Sequence, residues 1–186
     1  MKTLRFIGMA IVAIIMSVNF VACSDDDDDA GQLEGTWGLT HSAGWHLEHR
    51  DGAEKNVWDF TCDPYNLNKE NYEDQERLVI KKLTDNTYSV TSIHFIWSYS
   101  IGEGINIESE VYGSNVITLN GNSFTITKNG DDNLDGCFNS YATYTIESLT
   151  SDKLVIRKKY DNVPDDVELR SCNTSGDIID TYIRME

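Results

Sequence analysis

Apolar and polar residues alternate in short runs along most of this chain, and no long stretch carries the spacing of a helix face. The clearest run is Gly35 to His49. Trp37, Leu39, His41, Ala43, Trp45 and Leu47 share one parity, and Gly38, Thr40, Ser42, Gly44, His46 and Glu48 share the other. A period of two predicts a strand with one buried face and one wet face. Asp51-Gly52 then signals a hairpin turn into a short strand from Lys55 to Phe60. Residues 61–75 are polar and predict a loop. Arg77 to Leu83 and Thr87 to Tyr99 follow as strands around Thr84-Asp85-Asn86. Within the second, Ile93, Phe95 and Trp97 share a face, while Tyr88 and Val90 fall on the other parity. That switch predicts a bulge near Thr91-Ser92.

Further short strands are expected at Ile105 to Tyr112, Val116 to Leu119, Ser123 to Lys128, Tyr141 to Leu149, Leu154 to Tyr160 and Ile178 to Met185. A meander of this kind either packs as two sheets or closes on itself. Closure removes the exposed edges, and an even count lets the first and last strands meet antiparallel. The expectation is an all-β, up-and-down antiparallel barrel of about eight to ten strands.

The front end departs from this pattern. Lys2 and Arg5 form a basic head, Phe6 to Met16 is almost wholly apolar, and Phe20-Val21-Ala22-Cys23 follows. A basic head, a short apolar stretch and a small residue before the cut have the form of an export signal, too short to span a membrane comfortably. Phe20-Val21-Ala22-Cys23 resembles the bacterial lipobox, with Phe20 where Leu is usual. The resemblance implies cleavage after residue 22 and acylation of Cys23, with a membrane anchor built on two or more chains. Ser24 and the five aspartates Asp25 to Asp29 repel one another and predict a solvated tether. They resemble the acidic signal that sends Bacteroidetes lipoproteins to the cell surface. The implied organisation is a signal peptide at 1–22, an acylated cysteine and tether at 23–31, and one barrel domain at 32–186. The implied location is the outer membrane, lipid-anchored at the cell surface.

Charge narrows the partners. The formal net charge is −16, and loss of Lys2 and Arg5 with the signal takes it to −18. Such a surface repels phosphate backbones, which disfavours nucleic acid. The basic clusters Lys81-Lys82 and Arg157-Lys158-Lys159 fall on predicted strands and read as solvated faces that protect edges.

Leu33-Glu34-Gly35-Thr36-Trp37 resembles the Gly-x-Trp opening of the lipocalins. The stretches around Val116-Ile117-Thr118-Leu119, Tyr144 to Thr150 and Leu154-Val155-Ile156 are similar to the lipocalin-like domains of Bacteroidetes lipoproteins. The resemblance implies structural roles for Gly35 and Trp37, with the indole plugging the closed end and Arg184 from the last strand packed over it. It also implies a cavity for a small apolar or glycan ligand. The helix that follows the barrel in longer lipocalins has no counterpart here.

Candidate chemistry is sparse. His41 sits on the expected buried parity, where a polar group must find a partner or a ligand. Trp45, Trp97 and Tyr99 are candidates to line a cavity, and the same parity also suits a packed core. His46-Leu47-Glu48-His49 does not make a metal site, because positions three apart on a strand face opposite sides. Asp131-Asp132-Asn133-Leu134-Asp135-Gly136 resembles the start of a calcium loop, but Ala142 stands where a bidentate acid is needed. No Gly-x-Ser-x-Gly, Walker-type or Rossmann pattern occurs, so no enzyme, metal or cofactor is expected. Apart from Cys23 the cysteines are Cys62, Cys137 and Cys172. Alternate loops of a meander share one end, which pairs Cys137 with Cys172 and leaves Cys62 outside the bond.

Overall fold

A computed structural model describes residues 32–67, 75–100, 104–129, 138, 141–164 and 172–185. Among them are nine strands and no helix: β1 (Gly35–Glu48), β2 (Asn56–Thr61), β3 (Glu76–Lys82), β4 (Thr87–Ser100), β5 (Gly104–Asn120), β6 (Ser123–Asn129), β7 (Thr143–Leu149), β8 (Lys153–Pro164) and β9 (Asn173–Met185). Every neighbouring pair is antiparallel, and β1 pairs with β9 along nearly its full length, from Thr36↔Met185 to Glu48↔Thr174. The barrel is therefore closed, as the alternation predicts.

Ten expected strands become nine because Ile105 to Leu119 runs without a break as part of β5. Nine become eight barrel positions because β2 and β3 share one. With β9 along one edge of β1, both must lie on the other, where β2 pairs with positions 41–46 and β3 with positions 35–38. They lie end to end, interrupted by the excursion that carries Pro64 and Tyr65.

Two of the register shifts among the described strands bear on which side chains face inward. In β1, Leu39 pairs with Tyr182 and His41 with Thr181, so Thr40 is an extra residue whose hydroxyl donates to Thr181 O at 3.0 Å. The parity of Trp37 and Leu39 continues inward through Ser42, Gly44 and His46. The expected inner parity is inverted beyond Leu39, and His41, Ala43, Trp45 and Leu47 face out. The second irregularity lies where a bulge was expected, but its extra residue is in β5. Ser92 pairs with Gly113 and Ile93 with Val111, so Tyr112 is the insertion. β4 itself holds one register against β3, with Leu78↔Ser92 and Glu76↔His94. Phe95 is buried on the outer face, under the Arg77 guanidinium 4.8 Å from its ring centre.

The closed end is the most densely packed part. Trp37 is fully buried among Leu39, Leu78, Ile80, Val90, Ile117, Leu154 and Tyr182, and its indole donates to Leu33 O at 2.9 Å. Arg184, paired with Trp37 across β1 and β9, places its guanidinium 4.3 Å from the ring centre. It donates to Ser151 O at 2.6 Å, to Glu34 O at 2.7 Å and to Gln32 O. One side chain thus ties the lead-in, the β7–β8 turn and the plug together. Gly35 is required here: its φ is +149°, and a Cβ would stand 2.3 Å from the Arg184 Nη1. Each charged hydrogen bond contributes about 1.5–3 kcal/mol, so Arg184→Lys, which keeps the charge and loses the fork, is expected to cost on the order of 2 kcal/mol. Urea unfolding measures this; an unchanged midpoint would show that charge alone holds the end closed.

Candidate functional site: a charged cavity in the barrel

Above the plug the interior changes character. A cavity of about 210 Å³ is lined by Glu76, His94, Phe138, Tyr144, Ile156, Lys158, Ile178, Asp180 and Tyr182. The apolar wall is built on an aromatic cluster. Phe124 stacks on Tyr144 at 4.9 Å between ring centres, and Phe138 meets both edge-on at 5.0 and 4.8 Å. The polar wall comes from inward positions of β3, β4, β8 and β9.

Glu76 anchors that wall. Its Oε1 accepts the Ser92 hydroxyl at 2.7 Å and its Oε2 accepts the Tyr182 hydroxyl at 3.0 Å. His94 Nε2 stands 3.7 Å from Oε1. Burial alone would raise this carboxyl, but the bonds from His94, Ser92 and Tyr182 and the charge of His94 hold it below the usual glutamate range. Asp180 differs. Burial pushes its carboxyl up to about 6 against a hydrogen bond from Ser42, and the nearby Glu76 adds to the rise. Lys158 is pushed below the ordinary lysine range by burial, while Asp180 and Glu76 pull it back. Ser42 also accepts the Trp58 indole N–H at 3.0 Å, so β2 contributes to the same wall.

The sequence did not single these residues out. The run Arg157-Lys158-Lys159 reads as a solvated face. In fact Arg157 and Lys159 point out to Asp177, at 2.7 and 4.0 Å, and Lys158 points in with Ile156. The usable signal was parity. Lys158 alternates in step with Leu154, Ile156 and Tyr160, Asp180 with Ile178 and Tyr182, and Glu76 with Leu78 and Ile80.

Of the expected site residues, His41 and Trp45 do not converge here. His41 lies on the outer face, 2.9 Å from Asp59 Oδ1. Trp45 also faces out, with Lys55 Nζ 4.0 Å over its ring. The Thr40 bulge puts both there. Trp97 and Tyr99 belong to β4, but their side chains lie outside the described residues. His46 Nδ1 meets the Tyr160 hydroxyl at 2.9 Å and His49 Nε2 meets Ser175 Oγ at 2.7 Å, each bound to a different neighbour. No cluster of metal-ligating side chains occurs among the described residues. Cys62 and Cys172 are both thiols in this structure, and no disulfide occurs among the described residues. The Cys62 Sγ–H donates to Leu39 O at 3.2 Å, in register with the β1 bulge. Cys137, the Asp131 to Gly136 loop and everything before Gln32, including Cys23 and the aspartate run, lie outside the described residues.

No family model and no curated protein matches this chain. Among solved structures it is similar to the siderocalin Ex-FABP, described as functioning through dual ligand specificities. The TM-score is 0.40 at 10% identity, over 82% of this chain and 69% of that one.

The raised carboxyl of Asp180 fixes a sign. A carboxyl whose folded pKa lies above its unfolded value weakens the fold when it ionises. The advantage of the protonated form is complete below about pH 4, the unfolded value, and is lost as pH rises through about 6. Asp180→Asn removes that loss. Its thermal midpoint is expected to gain on the parent as pH rises from about 4.5 to about 7.5. A difference that stays constant with pH would show that Asp180 ionises as freely in the fold as outside it.

Proposed function

We propose that this chain is a lipid-anchored cell-envelope protein whose lipocalin-like barrel binds one small organic molecule bearing polar groups. The observation that carries the binding reading is the charged half of the cavity. Taking ions out of water costs several kcal/mol each, and apolar residues of similar volume are commonly as stable or more so. Glu76, Asp180 and Lys158 on inner positions are therefore a poor way to fill a barrel and a good way to recognise a ligand. The aromatic wall opposite supplies the apolar contact that small-molecule sites need.

Size and polarity refine the ligand. An apolar cavity of roughly 150 Å³ holds a benzene ring, and drug-sized sites begin near 300 Å³. A cavity of about 210 Å³ suits a ring-sized body with a few polar atoms. A wholly apolar ligand would cover the carboxylates and the amine without satisfying them. The anchor rests on the lipobox-like Phe20-Val21-Ala22-Cys23, and exposure at the outer surface on Asp25 to Asp29. Among the described residues no metal-ligating cluster stands beside the cavity, and binding is the reading preferred to an enzyme.

Native mass spectrometry of the purified full chain, incubated with extract of its own organism, tests the binding reading. A reproducible added mass that disappears in Lys158→Met is expected. A clean unliganded mass across growth conditions would move the reading to a packed surface module that engages other proteins. The anchor is checked in the same cells: Cys23→Ser should abolish incorporation of labelled fatty acid, and continued labelling would sink it.

A further inference from the structure

The polar groups of the cavity divide into two kinds. Glu76 is committed to the framework, with Ser92 and Tyr182 on its two oxygens and His94 beside it. Lys158 and Asp180 are held more loosely, Asp180 by a hydrogen bond from Ser42 and Lys158 with its Nζ 5.4 Å from the Tyr160 ring centre. They sit on adjacent strands, Lys158 opposite Ile178 and Asp180 opposite Ile156, so they are diagonal neighbours on one inner face. Diagonal positions are within reach of a long side chain. Yet neither residue enters any ion pair among the described residues. They act on each other only at longer range. A pair kept for the fold alone would close, because direct contact recovers much of what desolvation costs. Held apart, the two present a cation and an anion to the same small space.

A ligand with one charge cannot meet both. A simple carboxylate would satisfy Lys158 while facing Asp180 and Glu76. A simple amine would satisfy Asp180 while facing Lys158. Either leaves a buried charge opposed or unmet. A molecule carrying both charges meets both residues and brings no net charge into the barrel. Resting on the binding reading above, we propose that the ligand is a small zwitterion of the free amino acid type. Its carboxylate sits on Lys158, its ammonium on Asp180, and its aromatic or branched side chain lies against Phe138 and Tyr144. The cavity volume admits a body of that size and excludes a peptide of several residues.

Isothermal titration calorimetry on the full chain in detergent tests this, with the common free amino acids as zwitterions. Phenethylamine serves as the amine alone and hydrocinnamate as the acid alone. At least one amino acid with an aromatic or branched side chain is expected to saturate one site. Both single-charge analogues of phenylalanine should bind at least about tenfold more weakly than the best amino acid. Lys158→Met and Asp180→Asn should each lose at least about tenfold affinity for it while still unfolding cooperatively. Equal affinity for either analogue would overturn the proposal, as would full affinity in either variant. Silence toward every amino acid, from a protein that still gains mass from extract, would overturn the zwitterion and leave the binding reading standing. Silence in both experiments would remove both.

Discussion

What faces the inside of this barrel depends on one extra residue in β1. Thr40 has no partner on β9, so the pairing slips by one between Leu39 and His41. Before the slip, Trp37 and Leu39 build the plug. After it, Ser42, Gly44 and His46 take the inner side. Without it, His41 and Trp45 would enter the barrel, and Ser42 would be turned away from Asp180 and Trp58. The bulge is held from three directions: the Thr40 hydroxyl on Thr181 O, the Cys62 N–H on Thr40 O at 2.9 Å, and the Cys62 thiol on Leu39 O. The excursion after β2 begins at that point, so the kink in β1 and the break between β2 and β3 are one local event.

The barrel is divided by function along its axis. The closed end holds the large buried side chains and the Trp37–Arg184 lock. The other end holds Glu76, His94, Lys158 and Asp180, and burial there works against the charged forms of Lys158 and Asp180. Interiors lose of order a kcal/mol for even small mispacking, so a half-charged interior needs a well-packed half beneath it. β8 and β9 serve both halves: Leu154 and Tyr182 belong to the plug, and Lys158, four positions along β8, and Asp180, two positions along β9, to the cavity on the same faces.

The fold was largely legible in the sequence because period-two alternation and turn residues are local signals. The strands from Arg77 to Leu83 and from Ser123 to Lys128 sit where alternation placed them. The cavity was not legible, for two physical reasons. A bulge is a single inserted residue that leaves composition unchanged and inverts everything after it, which moved His41 and Trp45 to the wrong side. A buried charge also looks like a solvated one in a run such as Arg157-Lys158-Lys159, and only the register against Ile178 and Asp180 separates the middle residue from its neighbours. Loop parity says which end a residue is on, not how near it comes to another, so it does not by itself set the pairing of Cys137 with Cys172.

The charges inside this barrel are kept for a ligand and not for the fold. The most direct measurement is the unfolding free energy of the double variant Lys158→Met/Asp180→Leu in the absence of ligand. If the claim holds, the variant should be at least as stable as the parent, and by up to about 4 kcal/mol more stable, since buried ion pairs replaced by apolar residues of similar volume commonly behave so. A loss of several kcal/mol, with cooperativity intact, would show that the two charges hold the barrel together and would contradict the account.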